Sequence, residues 1–209
     1  MNSLILEKAL ELVELLKSEI GDSATEPEKP FGVQLKNLEP GDRFDTELGK
    51  FIVLDHDKEC GWTKVIQVNF FEYDVEFDDN SCDYTKSDLK EKFDGEIAEK
   101  YTELFGDALV EHEVHLKSVD MQSYDSFTCK VRPITFDEAR QYNSLLVKAD
   151  LDDWWWTCTP WSTEERGWKY SVTVVSTSGY IGYDCCGCSR GVRPFCILKS
   201  NLFVSCVEE

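Results

Sequence analysis

The run from Asp152 to Leu198 constrains the fold of this chain more than any other stretch. It opens with Asp152-Asp153-Trp154-Trp155-Trp156-Thr157-Cys158-Thr159-Pro160 and closes with Gly191-Val192-Arg193-Pro194-Phe195-Cys196-Ile197-Leu198. On a strand, Trp154 and Trp156 face one way and Trp155 the other, so at least one side is core. Tyr170-Ser171-Val172-Thr173-Val174-Val175 lies between them and reads as another strand. From Ser176 to Ser189 the residues are small and polar, with Tyr180, Tyr183 and three cysteines. That composition predicts turns and a loop between short strands.

The rest of the chain supplies further elements. Residues 3–20 form the clearest helix, with Ser3 placed as N-cap and Gly21 where a C′ glycine belongs. Leu6, Ala9, Val13, Leu16 and Ile20 follow a three-four spacing. A helix this short is marginal alone in water, so its apolar face either packs on its own domain or assembles copies or a partner. Asp22 to Pro30 is a polar linker with two prolines. The expected division is an assembly or docking helix at 1–21, a linker at 22–34, and one domain at 35–209.

Lys50 to His56 reads as a buried strand, and Gly61 to Phe70 as a second one after a turn. Glu72, Asp74, Glu76 and Asp78 alternate with Tyr73, Val75 and Phe77, which predicts an acidic face opposite an apolar one. Thr85 to Phe105 holds a helix capped by Thr85 or Ser87. Val114 to Val119 and Phe127 to Val131 are strand candidates. Thr135 and Glu138 form the capping-box pattern of another helix start.

The net charge is −19 and is unevenly placed. Residues 154–209 carry five Lys/Arg and five Asp/Glu, so the whole acidic excess lies before them. Such charge argues against direct binding of nucleic acid or of anionic membranes. It suits solubility, or an acidic surface that meets a basic protein. Nine cysteines at scattered spacing, an odd number, predict mostly free thiols. Leu4-Ile5-Leu6 is broken at once by Glu7-Lys8, so no signal peptide is expected and the cytoplasm is the expected site of synthesis.

The tryptophan run, the strand after it, the glycine-containing turn and Gly191-Val192-Arg193-Pro194 together resemble the C-terminal half of a C-type-lectin-like domain. Such domains occur in many uncharacterised bacterial and phage proteins. The opening hairpin, with Pro40-Gly41-Asp42 before a strand ending in Val53-Leu54-Asp55, is similar too, and the resemblance spans roughly 35–205. It implies an α+β C-type-lectin-like fold of short twisted antiparallel strands with two flanking helices, in addition to the N-terminal amphipathic helix. It implies a structural salt bridge or backbone clamp for Arg193. In relatives diversified by retroelements, the loop before the final strand carries variable binding residues, and Tyr180, Tyr183, Asp184, Cys185, Cys186, Cys188 and Ser189 have that composition. Formylglycine-generating enzymes are distantly similar and use a cysteine pair near the C-terminus, but their surrounding motif is not visible here.

No catalytic set stands out. His112 and His115 lie on an alternating stretch and would face opposite sides of a strand. Neither a nucleophile elbow nor a phosphate-cradling glycine loop appears. Clustered thiolates at Cys185, Cys186 and Cys188 could bind Zn²⁺ or Cu⁺, yet no second ligand cluster lies nearby in sequence. We therefore expect no metal and no cofactor. Trp161 and Trp168 flank a polar loop and are candidates for stacking on a sugar or an aromatic side chain. The expected ligand face is Trp161, Trp168, Tyr180, Tyr183, Asp184, Cys185, Cys186 and Cys188, with Tyr supplying area and Ser/Gly adaptability. The expected function is a non-enzymatic binding protein for a protein or glycan, as a phage or prophage adhesion or decoration protein carried on the virion. Two alternatives stand beside it: an acidic inhibitor of a basic host protein, and a retroelement-diversified binder.

Overall fold

A computed structural model describes residues 32–147 and 151–206. The expected helix, with Leu6, Ala9, Val13, Leu16 and Ile20, lies outside the described residues, as does most of the linker. The folded unit begins at Gly32. Its first strand, β1 (Val33–Gln34), pairs with the last, β14 (Phe203–Cys206), so residues 33 and 34 belong to the sheet rather than to the expected linker.

The architecture is mixed α+β and mostly antiparallel. Strands β2 (Arg43–Thr46), β3 (Gly49–Asp57), β4 (Trp62–Gln67), β8 (Val131–Pro133) and β13 (Pro194–Lys199) complete a seven-stranded sheet in the order β1-β14-β2-β3-β4-β13-β8. A five-stranded sheet runs β11-β10-β9-β12-β5, from Ile181–Cys185, Ser171–Val175, Trp155–Pro160, Ser189–Val192 and Glu72–Glu76. β6 (His112–Lys117) and β7 (Ser123–Cys129) form a separate hairpin.

The large sheet is covered on both faces, which is why its central strands read as continuous apolar runs. Phe51, Ile52, Val53 and Leu54 are all buried. Phe51 and Val53 join one core with Val65, Tyr101, Trp156 and Leu198; Ile52 and Leu54 join the other with Ile66, Tyr142, Trp155 and Phe195. Alternate residues of one strand thus feed two cores. Helix α1 (Asp88–Lys92) is capped by Ser87, whose hydroxyl accepts from the Lys90 N–H. It passes through a kink at Gly95, whose backbone is not helical, into α2 (Ala98–Phe105). On that side Tyr101 and Phe105 meet Phe51 edge-on at 5.8 and 5.6 Å. On the other, α3 (Phe136–Gln141) and α4 (Asn143–Leu146) contribute Ala139, Tyr142 and Leu146. The capping box at Thr135 and Glu138 is present.

The tryptophan run follows its predicted alternation, and both sides are core. Trp156 donates its indole N–H to the Val75 carbonyl at 2.7 Å. Trp155 lies 5.0 Å from the Arg193 guanidinium. Arg193 is a backbone clamp, not a salt bridge: its Nε and Nη1 donate to the carbonyls of Gln67 and Leu146 at 2.7 and 3.3 Å. Burial lowers its pKa.

The acidic alternation at Glu72, Asp74, Glu76 and Asp78 is corrected. Tyr73 and Asp74 oppose Gly191 in a β-bulge, and Asp74 takes φ 56°. The bulge turns Tyr73 outward and breaks the period of two. Glu72 pairs with Lys92 at 2.6 Å, and Asp78 accepts from the Asn80 and Ser81 N–H groups. Gly191 itself has no room for a side chain, because a Cβ there would sit 2.6 Å from the Phe70 ring. No helix among the described residues is long and apolar enough to cross a membrane.

Candidate functional site

Strand β9 ends at Pro160, and Trp161 continues it by donating its N–H to the Ser171 carbonyl at 2.8 Å. A 3₁₀ turn at Glu164–Arg166 then reverses the chain, with Gly167 left-handed at φ 85°. The turn brings Trp168 back beside Trp161, and edge strand β11 presents Tyr183 to both. The ring centroids are 4.8 Å apart for Trp161–Tyr183, 5.2 Å for Trp168–Tyr183 and 6.3 Å for Trp161–Trp168. The rings therefore touch one another and leave no gap for an ammonium group between them. This is a surface cluster and not a cation cage. Tyr183 is 50% exposed, and Tyr170 is exposed nearby on the same loop-and-strand segment.

The aromatic loop is pinned to the β6–β7 hairpin. Asp120 accepts from the Ser162 hydroxyl at 2.7 Å and pairs with Arg166 at 2.6 Å, while the Ser118 hydroxyl donates to its other oxygen. The Ser118 and Ser162 hydroxyls, followed by Arg166, hold the Asp120 carboxyl down at about 2. Tyr124 donates to the Ser162 carbonyl at 2.7 Å, and buried Cys82 lies 3.5 Å from the Trp168 carbonyl. Ligand-binding groups work best when their geometry is fixed before the ligand arrives. None of Ser118, Asp120, Tyr124 and Cys82 was singled out for this role in the sequence.

The structure divides the expected ligand face. Trp161, Trp168 and Tyr183 converge. Tyr180, 66% exposed, packs edge-on against Trp154 at 5.9 Å over Gly182, on the opposite side of β11 from Tyr183. Cys186 is a core residue, only 1% exposed, and its carbonyl accepts from the Phe77 and Asp78 N–H groups. It leaves the ligand face altogether because its backbone is bonded between Tyr170 on one side and Phe77 and Asp78 on the other, which puts its side chain in the core.

Asp184, Cys185 and Cys188 sit together at that turn, their donor atoms within 4.8 Å of one another. Cys188 donates its N–H to the Cys185 carbonyl at 2.9 Å, closing the turn. Asp184 accepts from the Cys185 N–H at 2.8 Å and pairs with Arg190 through both Nε and Nη2. Hydrogen bonding with Cys185, then burial, then Asp184 push the Cys188 thiol up to about 12. The eight cysteines whose side chains are described, Cys60 to Cys196, are all free thiols.

The histidines form no common site. His112 and His115 point to opposite sides of β6, as expected: His112 is part-buried and His115 exposed. Burial and the neighbouring Arg132 push His112 down to about 4. His56 Nε2 donates to the Leu38 carbonyl at 2.8 Å, and Nδ1 lies 2.9 Å from the Thr63 hydroxyl. Elsewhere a groove of about 520 Å³ is lined by Asp94, Glu99, Glu103 and Glu111 against Lys130.

No family model matches the chain, and neither the curated proteins nor the solved structures contain a match.

Proposed function

We propose that the chain is a non-enzymatic binding module of C-type-lectin-like build, and that Trp161, Trp168 and Tyr183 contact its ligand. The observation that carries this reading is a cluster of three touching aromatic rings at the surface, with Tyr183 half-exposed and the loop beneath fixed through Asp120. Apolar area of this kind is costly to leave in water unless a ligand covers it. Glu164, Glu165 and Lys169 are carried by the same loop, where they line a pocket with Asp83 and Tyr124 and offer polar partners. An aromatic face edged by hydrogen-bonding groups fits the C–H face and hydroxyl rim of a sugar ring, so a glycan is the first ligand class and a protein surface the second. The fold assignment rests on Gly191-Val192-Arg193-Pro194 and the tryptophan run. An adhesion or decoration role on a phage particle, with or without retroelement diversification of the Tyr180–Ser189 stretch, is the setting this build suits. The test is a panel of defined oligosaccharides probed with the full chain, followed by fluorescence titration of each one bound. Saturable binding that perturbs tryptophan emission supports the reading; saturable binding to none removes the glycan.

The acidic groove favours a second reading, an inhibitor of a basic protein. Its carboxylates at Asp94, Glu99, Glu103 and Glu111 replace the strand Glu72–Glu76 as the acidic surface. Association of the full chain with a lysozyme-like basic protein should then fall steeply with salt and be lost in Glu99→Lys/Glu103→Lys. Salt-independent binding excludes it.

A further inference from the structure

We propose that Asp184, Cys185 and Cys188 form a binding site for one borderline-soft divalent cation, Zn²⁺ or its equivalent, on the turn between β11 and β12. Their three donor atoms already lie within 4.8 Å of one another. A tetrahedral Zn²⁺ with Zn–S near 2.3 Å holds its sulfurs about 3.8 Å apart, so closure asks for rotamer changes of about 1 Å. The two cysteines have the two-residue spacing of zinc-ligating pairs, and the Cys188 N–H to Cys185 carbonyl hydrogen bond fixes the turn that carries them.

Charge selects the cation. Two thiolates and a carboxylate bring three negative charges, and Arg190, bonded to Asp184, returns one positive charge. A dication makes the cluster neutral, whereas Cu⁺ leaves it negative. Asp184 Oδ2 accepts both Arg190 bonds, while Oδ1 keeps a lone pair after accepting from the Cys185 N–H, so Oδ1 can ligate while these partners orient the carboxylate. On binding, the thiol protons leave to solvent. Cys185 is exposed, which leaves the fourth position open to water or to a donor from a ligand. This inference does not rest on the aromatic face: a metal-binding chain with a silent aromatic cluster and the reverse are separable results.

The experiment uses the full chain, reduced with a phosphine and stripped of metal, titrated with Zn²⁺ and separately with Co²⁺. The site predicts one equivalent per chain and a thiolate-to-cobalt charge-transfer band. Cys185→Ser and Cys188→Ser should each weaken Zn²⁺ binding by more than about 100-fold, beyond the tenfold to 100-fold lost with an outer-shell partner. Cys60→Ser should leave it unchanged. Absence of the cobalt band in the folded wild-type chain overturns the proposal without recourse to any variant. So does Zn²⁺ binding that survives both serine variants, or stoichiometric uptake of Cu⁺ with none of Zn²⁺.

Discussion

Glu138→Gln should unfold this protein far more easily than a surface change would, because Glu138 does two jobs. Its carboxylate closes the capping box at Thr135, and it holds Arg132 with a bidentate pair at 2.7 Å on both arms. Arg132 is buried on β8, 4.3 Å from the Phe195 ring, so its charge has little water to fall back on. Burial alone would raise the Glu138 pKa, but Arg132 pulls it down to about 2 from an ordinary 4.5. That displacement corresponds to about 3 kcal/mol favouring the ionised, folded pair. Breaking a buried pair while leaving one charge behind costs about 3–5 kcal/mol, the same order. Glutamine keeps part of the cap, so the loss reports mainly on the ion pair. In thermal melts the midpoint should drop by roughly 10 °C, at about 2–4 °C per kcal/mol for a chain of this size. The folded pKa lies below the unfolded one. The pair's contribution is therefore complete above about pH 4.5 and lost as pH falls towards 2. The wild-type and variant midpoints should converge over that window. A loss under about 1 kcal/mol at neutral pH, or a gap that stays constant on acidification, would refute the reasoning.

Two further predictions follow from contacts at the bulge and the loop. Gly191→Ala pushes a methyl to 2.6 Å from the Phe70 ring and should cost about 1–3 kcal/mol by urea titration; a neutral result would mean the bulge can shift at no cost. Asp120→Ala frees the loop carrying Trp161 and Trp168, so hydrogen exchange at 161–169 should speed up while the core strands stay protected. Unchanged exchange there would show the loop is held by other contacts.

The strands of the large sheet were legible because period-two and all-apolar patterns survive wherever burial decides them, as at Phe51 to Leu54. Glu138 was legible as a cap because that interaction is local, but its pairing with Arg132 across β8 was not. The pairing of Trp161 with Trp168 could be anticipated from aromatics flanking a polar loop, whereas Tyr183 was placed beside them by composition alone. Support of that loop by Asp120 could not be anticipated, since the partner is 42 residues from Ser162 and carries no local pattern. Asp74 failed because alternation holds only while a strand continues and a bulge resets it; Cys186 failed because loop composition does not show which turn residue faces inward. Gly191 was read as part of a motif, yet the reason for glycine there, the Phe70 ring, appears only in three dimensions.

The central claim is that one side of β11 meets the ligand and the other does not. The measurement that tests it most directly is titration of an oligosaccharide bound by the wild-type chain against Tyr183→Ala and Tyr180→Ala, with melts run alongside. Tyr183→Ala loses two ring contacts of about 0.5–1.5 kcal/mol each, a loss of stability below the 3–5 kcal/mol of a core aromatic. The account predicts that Tyr183→Ala weakens binding at least tenfold while staying folded, and that Tyr180→Ala binds like wild type. Equal losses in both variants, or wild-type binding by Tyr183→Ala, would contradict it.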